Sequence, residues 1–75
     1  MKRNAASERL ASEIADAREA LLDSAQHEPE RWWLAYELKD EARNGWSASA
    51  MNMALARLID TGVFELDGDR IRLQR

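Results

Sequence analysis

Apolar residues in the first third of the chain recur at steps of three and four: Leu10, Ile14, Ala17, Leu21 and Ala25, with Leu22 alongside. That spacing puts them on one face of a helix. Alanine, glutamate, arginine and leucine dominate this stretch, and glycine and proline are missing from it. Both features predict a helix over about 5–27. Asn4 suits its N-cap. Pro29 stops it, because a proline pushes the preceding residue out of the α region.

A second helical pattern lies within Glu30–Asn44, where Leu34, Ala35, Leu38 and Ala42 share a face. Asn44-Gly45 is an end signal, since both tolerate the left-handed conformation common just past a helix. Arg31-Trp32-Trp33 reads as the first turn of this helix or as a short extended piece ahead of it. The extended reading is preferred, because an early start leaves Trp32 and Tyr36 off the apolar face. A third helix is predicted from Ser47, its N-cap, to about Asp60. Met51, Leu55, Leu58 and Ile59 form its buried stripe, with Ala54 beside it, and Thr61-Gly62 ends it.

The tail changes period. Val63-Phe64-Glu65-Leu66 and Ile71-Arg72-Leu73-Gln74 alternate apolar and polar residues, as half-buried strands do. Asp67-Gly68-Asp69-Arg70 between them is a turn. A four-residue loop pairs Leu66 with Ile71 and Phe64 with Leu73, and is preferred to a two-residue Asp67-Gly68 turn. Either register places Phe64, Leu66, Ile71 and Leu73 on one buried face, Arg72 on the other, and Arg70 at or beside the tip.

The fold class expected is therefore α+β, mostly α: three helices followed by a C-terminal β-hairpin. One domain is expected in these 75 residues, with a long helix over about 5–27, a helix-turn-helix over about 34–60 and a hairpin over 63–74. There is no cysteine, hence no disulfide and no thiolate metal site. No secretory signal follows Met1-Lys2-Arg3, and no apolar run reaches the roughly 20 residues a membrane span needs. A cytoplasmic location without membrane attachment is expected.

The formal net charge of −3 bears on partners. Proteins that bind nucleic acid by neutralising phosphates usually carry a basic patch or a basic total. Any such role here needs a local patch. The cations are nearly all arginine, with Lys2 and Lys39 the only lysines.

Three pieces then bear a family likeness. Ala35-Tyr36-Glu37-Leu38, Ser47-Ala48-Ser49-Ala50-Met51 and Ala54-Leu55-Ala56-Arg57-Leu58, the last followed by Asp60-Thr61-Gly62-Val63, stand in the order and spacing of a winged helix-turn-helix. Over about Glu28–Leu73 the chain resembles that superfamily. The resemblance implies that the start of the third helix enters the DNA major groove. Ser47, Ser49, Asn52, Met53 and Arg57 would face outward. Asn52 would read adenine and the serines hold phosphates. Lys39 and Arg43 would clamp phosphate at the end of the second helix, and Arg70 and Arg72 would reach the backbone or minor groove from the hairpin.

Other residues point to a protein partner. Met53 stands where the family often carries a basic or long polar residue, and Ala48 and Ala50 add no donors. Trp32, Trp33, Tyr36 and Trp46 are many large aromatics for so small a chain, filling the core or anchoring an interface. Trp32, Tyr36 and Met53 are candidates for such an interface. The 23-residue first helix is about 35 Å long at 1.5 Å per residue. Leu10, Ile14 and Leu21 also fit a coiled-coil spacing, so a homodimer through this helix is expected as an alternative to packing within the domain.

Two functions follow as expectations: a small DNA-binding transcriptional regulator acting on duplex DNA, or an adaptor or inhibitor gripping a protein of the transcription or replication machinery. His27 is the only histidine and reads as a helix-end residue. No second histidine or cysteine completes a metal site. No glycine-rich phosphate loop or nucleophile elbow is present. No enzyme activity, cofactor, metal or small-molecule substrate is expected.

Overall fold

The first helix, α1, spans Ala5–His27 in a computed structural model that describes residues 5–43 and 45–74. Its inner face is the one the spacing predicts: Ile14, Ala17, Leu21 and Ala25 are buried, and Leu10 and Leu22 pack against them from the edge. His27 closes the last turn, its Nδ1–H donating to the carbonyl of Asp23 at 2.7 Å. Asn4 and Asn44, expected at helix ends, lie outside the described residues.

The chain next runs extended, forming β1 (Trp33–Leu34), and then turns into α2 (Ala35–Ala42). The extended reading of this segment holds. The second helix is shorter than expected, and Leu34 is its N-cap rather than part of its apolar stripe. Leucine has no side-chain acceptor, so the cap is made from the other direction. The carboxylate of Glu37 reaches back and accepts from the Leu34 N–H at 2.9 Å, satisfying one of the donors a helix start leaves open.

Helix α3 spans Ala48–Asp60. Ser47 caps it as expected, its Oγ accepting from the Ala50 N–H at 3.1 Å. Met51, Ala54, Leu55 and Leu58 are buried, joined by Ala50, and Ile59 packs at the margin. Thr61 ends the helix, and Gly62 follows at φ 81°, a backbone conformation glycine adopts without steric cost.

Strands β2 (Phe64–Asp67) and β3 (Arg70–Leu73) form the hairpin. The sheet order is β1-β3-β2, antiparallel throughout. Leu66 faces Ile71 and Phe64 faces Leu73, as the alternation predicts. The ladder continues one step further than expected, to Asp67 opposite Arg70, so the loop is the two residues Gly68-Asp69 rather than four. Gly68 has φ 64° and no other residue of the turn is left-handed; glycine first in a two-residue hairpin loop is the II′ pattern.

Leu66 departs from expectation. It lies on the same face as buried Phe64 and Ile71 but is 57% exposed. It lies on the edge strand β2, whereas Ile71, level with it on the central strand β3, is buried. The helices α1, α2 and α3 cover the sheet's inner face, and α1 touches α2, α3 and β3. The core between them holds Leu21, Leu38, Leu58, Phe64 and Ile71 as its largest fully buried side chains. No helix among the described residues is long and apolar enough to cross a membrane.

Candidate nucleic-acid interface

The outer surface of α2 and α3 carries a cleft of about 480 Å³. Its cations come from the last turn of α2: Lys39, and Arg43 just beyond the helix end. Its far wall is α3, through Ala48, Met51 and Asn52, and Trp46 closes one end. Trp46 and Met51 occupy the N′ and N4 positions about the Ser47 cap, the pair a hydrophobic staple brings together. That signal could have placed Trp46 in the cleft from the sequence. Tyr36, 68% exposed, stands at the rim on α2.

Within the cleft, Lys39 Nζ donates to Asn52 Oδ1 at 2.8 Å. The bond spans the two helices and holds the lysine charge against α3. It occupies one lone pair of the Asn52 carbonyl and leaves the amide N–H groups free to donate. Arg43 has no carboxylate partner among the described residues. Lys39 is bonded to a neutral group, so its charge is not cancelled. Asp40 lies in the same cleft as the one acidic residue lining it.

The remaining expected residues are dispersed. Ser49 and Met53 are exposed on the solvent side of α3, Met53 at 45%. Ser47 is committed to structure. Besides capping α3, its hydroxyl donates to Glu13 Oε2 on α1 at 3.2 Å. Arg57 leaves the cleft for the opposite flank of α3, where it lines a second groove with Arg18 of α1. Arg70 is exposed beside the hairpin turn. Arg72 lies on the outer face of the sheet with its guanidinium engaged. Its Nε donates to Glu65 Oε1 at 2.8 Å, and Nη2 bonds the same oxygen. Its Cζ stands 4.2 Å from the Trp32 ring centroid. The hairpin register implies the contact to Glu65, because Glu65 faces Arg72 once Phe64 faces Leu73.

The aromatic residues divide. Trp33 is in the core, its ring covered by Arg31 with Cζ 3.7 Å from the centroid. Its indole Nε1 is buried without a hydrogen-bond partner among the described residues. Arg31 in turn bonds Glu28 at 2.9 Å and lies 3.7 Å from Glu37. Trp32 is half-buried under Arg72 and Trp46 half-buried at the cleft. Leu10, Ile14 and Leu21 are the candidates for an interface between copies, with packing inside the domain as the other reading of their spacing. Ile14 and Leu21 are buried by α1's own domain, and Leu10 is half-buried at its edge. No group of three or more potential metal ligands occurs among the described residues.

Three helices, a hairpin and a short strand joining it make a small α+β domain compatible with a winged helix. Compared with known protein families, with curated proteins and with solved structures, the chain matches none of them.

Proposed function

We propose that the chain is a winged-helix domain of a transcriptional regulator and that it binds duplex DNA with the outer face of α2 and α3. One observation carries this reading. Lys39, Arg43 and Asn52 converge on a single cleft beside the start of α3, with neither cation paired to a carboxylate. Two uncancelled charges beside a free amide donor suit phosphate contacts with one polar contact to a base edge. The start of α3 is walled by Ala48 and Ser49, small enough for close approach to a groove. Arg70 at the hairpin tip is a second, separate phosphate contact. Arg72 contributes by holding the hairpin, not by touching DNA. Binding is weak, because few cations face the duplex and the total charge is −3, and its salt slope is shallow because few phosphates are neutralised.

The test is fluorescence anisotropy of a labelled duplex between 50 and 200 mM salt. Affinity falls with salt with a slope of about −0.9 per phosphate neutralised. The double variant Lys39→Ala, Arg43→Ala reduces the slope by about two. No salt-dependent binding of any duplex overturns the reading.

A second reading is favoured by Tyr36 and Met53, large exposed side chains on α2 and α3, and by the uncharged outer face of α3 formed by Ser49, Asn52, Met53 and Ala56. On it, the same surface grips a protein partner. Loss of that partner on Met53→Asp, with DNA binding absent in the unaltered chain, would select it.

A further inference from the structure

Lys39 Nζ lies 2.8 Å from Asn52 Oδ1, across the cleft between α2 and α3. An ammonium has three donors and no lone pair, so the asparagine atom that meets it must be the carbonyl oxygen. The lysine thereby fixes which way the carboxamide is turned. Asn52 is exposed, and its Nδ2 hydrogens have no partner among the described residues. The other α3 residues lining the cleft, Ala48 and Met51, bring no side-chain donor. Asn52 is therefore the polar side chain that this wall offers to a ligand.

We propose that Lys39 makes Asn52 a reader of guanine, in place of the adenine that an unengaged asparagine pairs with. The proposal rests on the reading of the cleft as a DNA contact. The major-groove code decides it. Pairing with adenine needs both halves of the carboxamide, Nδ2 donating to N7 and Oδ1 accepting from the N6 amino group. Here Oδ1 already accepts from a cation. Its second lone pair remains, but an amino group brought to it meets the lysine charge on the same oxygen. Guanine presents two acceptors on that edge, N7 and O6. An amide N–H beside an ammonium charge matches them and is mismatched to the amino groups of adenine and cytosine. Asn52 is the residue that touches the base. Lys39 is a positioning residue that acts through it, with its remaining donors available to phosphate.

The test is fluorescence anisotropy at about 50 mM salt with three alternating duplexes, dG·dC, dI·dC and dA·dT. Hypoxanthine keeps the N7 and O6 of guanine and lacks its 2-amino group. The dI·dC duplex therefore shows the minor-groove pattern of dA·dT and the purine major-groove edge of dG·dC. The unaltered chain binds dI·dC about three- to tenfold more tightly than dA·dT, the range a single hydrogen bond supplies, and binds dG·dC no less tightly than dI·dC. Asn52→Ala abolishes the preference. Lys39→Met abolishes or reverses it, and Lys39→Arg, which also donates without accepting, keeps it. Arg43→Ala weakens all three duplexes alike and leaves the ratio unchanged. Circular dichroism confirms that each variant is folded. Equal affinity for the three duplexes overturns the proposal and leaves the DNA reading standing. So does a preference that survives Lys39→Met unchanged, or one for dG·dC alone, which places the contact at the minor-groove amino group. Absence of binding to every duplex overturns the DNA reading itself and the proposal with it.

Discussion

Arg72 covers the indole of Trp32, its Cζ 4.2 Å from the ring centroid, and so ties the segment before α2 to the last strand of the chain. Glu65 holds the same guanidinium from the other side. Trp32, Arg72 and Glu65 thus form one row across the outer face of the sheet. The arginine is two-thirds or more covered, with 27% of its side chain exposed. Arg72→Ala is expected to lose about 0.5–1 kcal/mol of cation–π attraction and up to about 1 kcal/mol of ion pairing. Thermal unfolding followed by circular dichroism should show a midpoint lower by several degrees, at about 4–8 °C per kcal/mol for a domain of this size. Arg70→Ala, which removes an exposed side chain, should leave the midpoint where it was. Equal midpoints for the two variants would remove the structural role assigned to Arg72.

Ser47 joins two helices with one hydroxyl. It accepts from Ala50 N–H and donates to Glu13. Ser47→Ala should cost about 1 kcal/mol for the cap and a smaller amount for the exposed contact to Glu13. Glu13→Ala should cost less than 1 kcal/mol alone. A double-mutant cycle in urea separates the two: coupling of a few tenths of a kcal/mol is expected, and coupling above about 1 kcal/mol would mean that the contact to α1, not the cap, is the main contribution.

The cap at Ser47, the face of α1 and the Leu66–Ile71 register were legible in the chain because each depends on neighbours a few residues away. Periodicity reports which side of a helix or strand is apolar. It does not report what covers that side. Ile14 and Leu21 illustrate this, since the same spacing fits a coiled coil and a domain core, and only the packing of α2 and α3 onto α1 decides. Arg72 is the complementary case. Its face was readable, but its ring partner depends on β1 joining β3, a contact between residues 32 and 72. The candidate site was partly legible for the same reason. Lys39, Arg43 and Asn52 come together through the turn between α2 and α3, whereas Arg57 falls on the far flank of its helix.

Leu58 and Met53 lie on one helix and should respond in opposite ways. Leu58 is fully buried, and Leu58→Ala should destabilise by about 2–5 kcal/mol. In so small a domain that is a large share of the roughly 5–15 kcal/mol that separates folded from unfolded chains. Met53 projects into solvent, and Met53→Ala should change stability by less than about 0.5 kcal/mol. Chemical denaturation of the two variants checks the pair. A destabilisation by Met53→Ala comparable with that of Leu58→Ala would place Met53 in the core and remove it from either binding reading.

Leu66 and Ile71 face each other across the hairpin, yet only Ile71 is buried. They lie level with each other, but Ile71 is on the central strand β3 and Leu66 on the edge strand β2. Ile71→Ala should therefore cost about 2–5 kcal/mol. Leu66→Thr removes little that is shielded from water and puts a β-branched residue into a strand, which favours the extended backbone. It should leave stability within about 0.5 kcal/mol. Its effect should appear elsewhere, as less exposed apolar surface next to Arg70 at the tip. If Leu66→Thr instead destabilises by more than about 1.5 kcal/mol, Leu66 is shielded on the edge strand as Ile71 is on the central one. The inner face would then be continuous from Phe64 to the turn, as the alternation of the strand alone suggests.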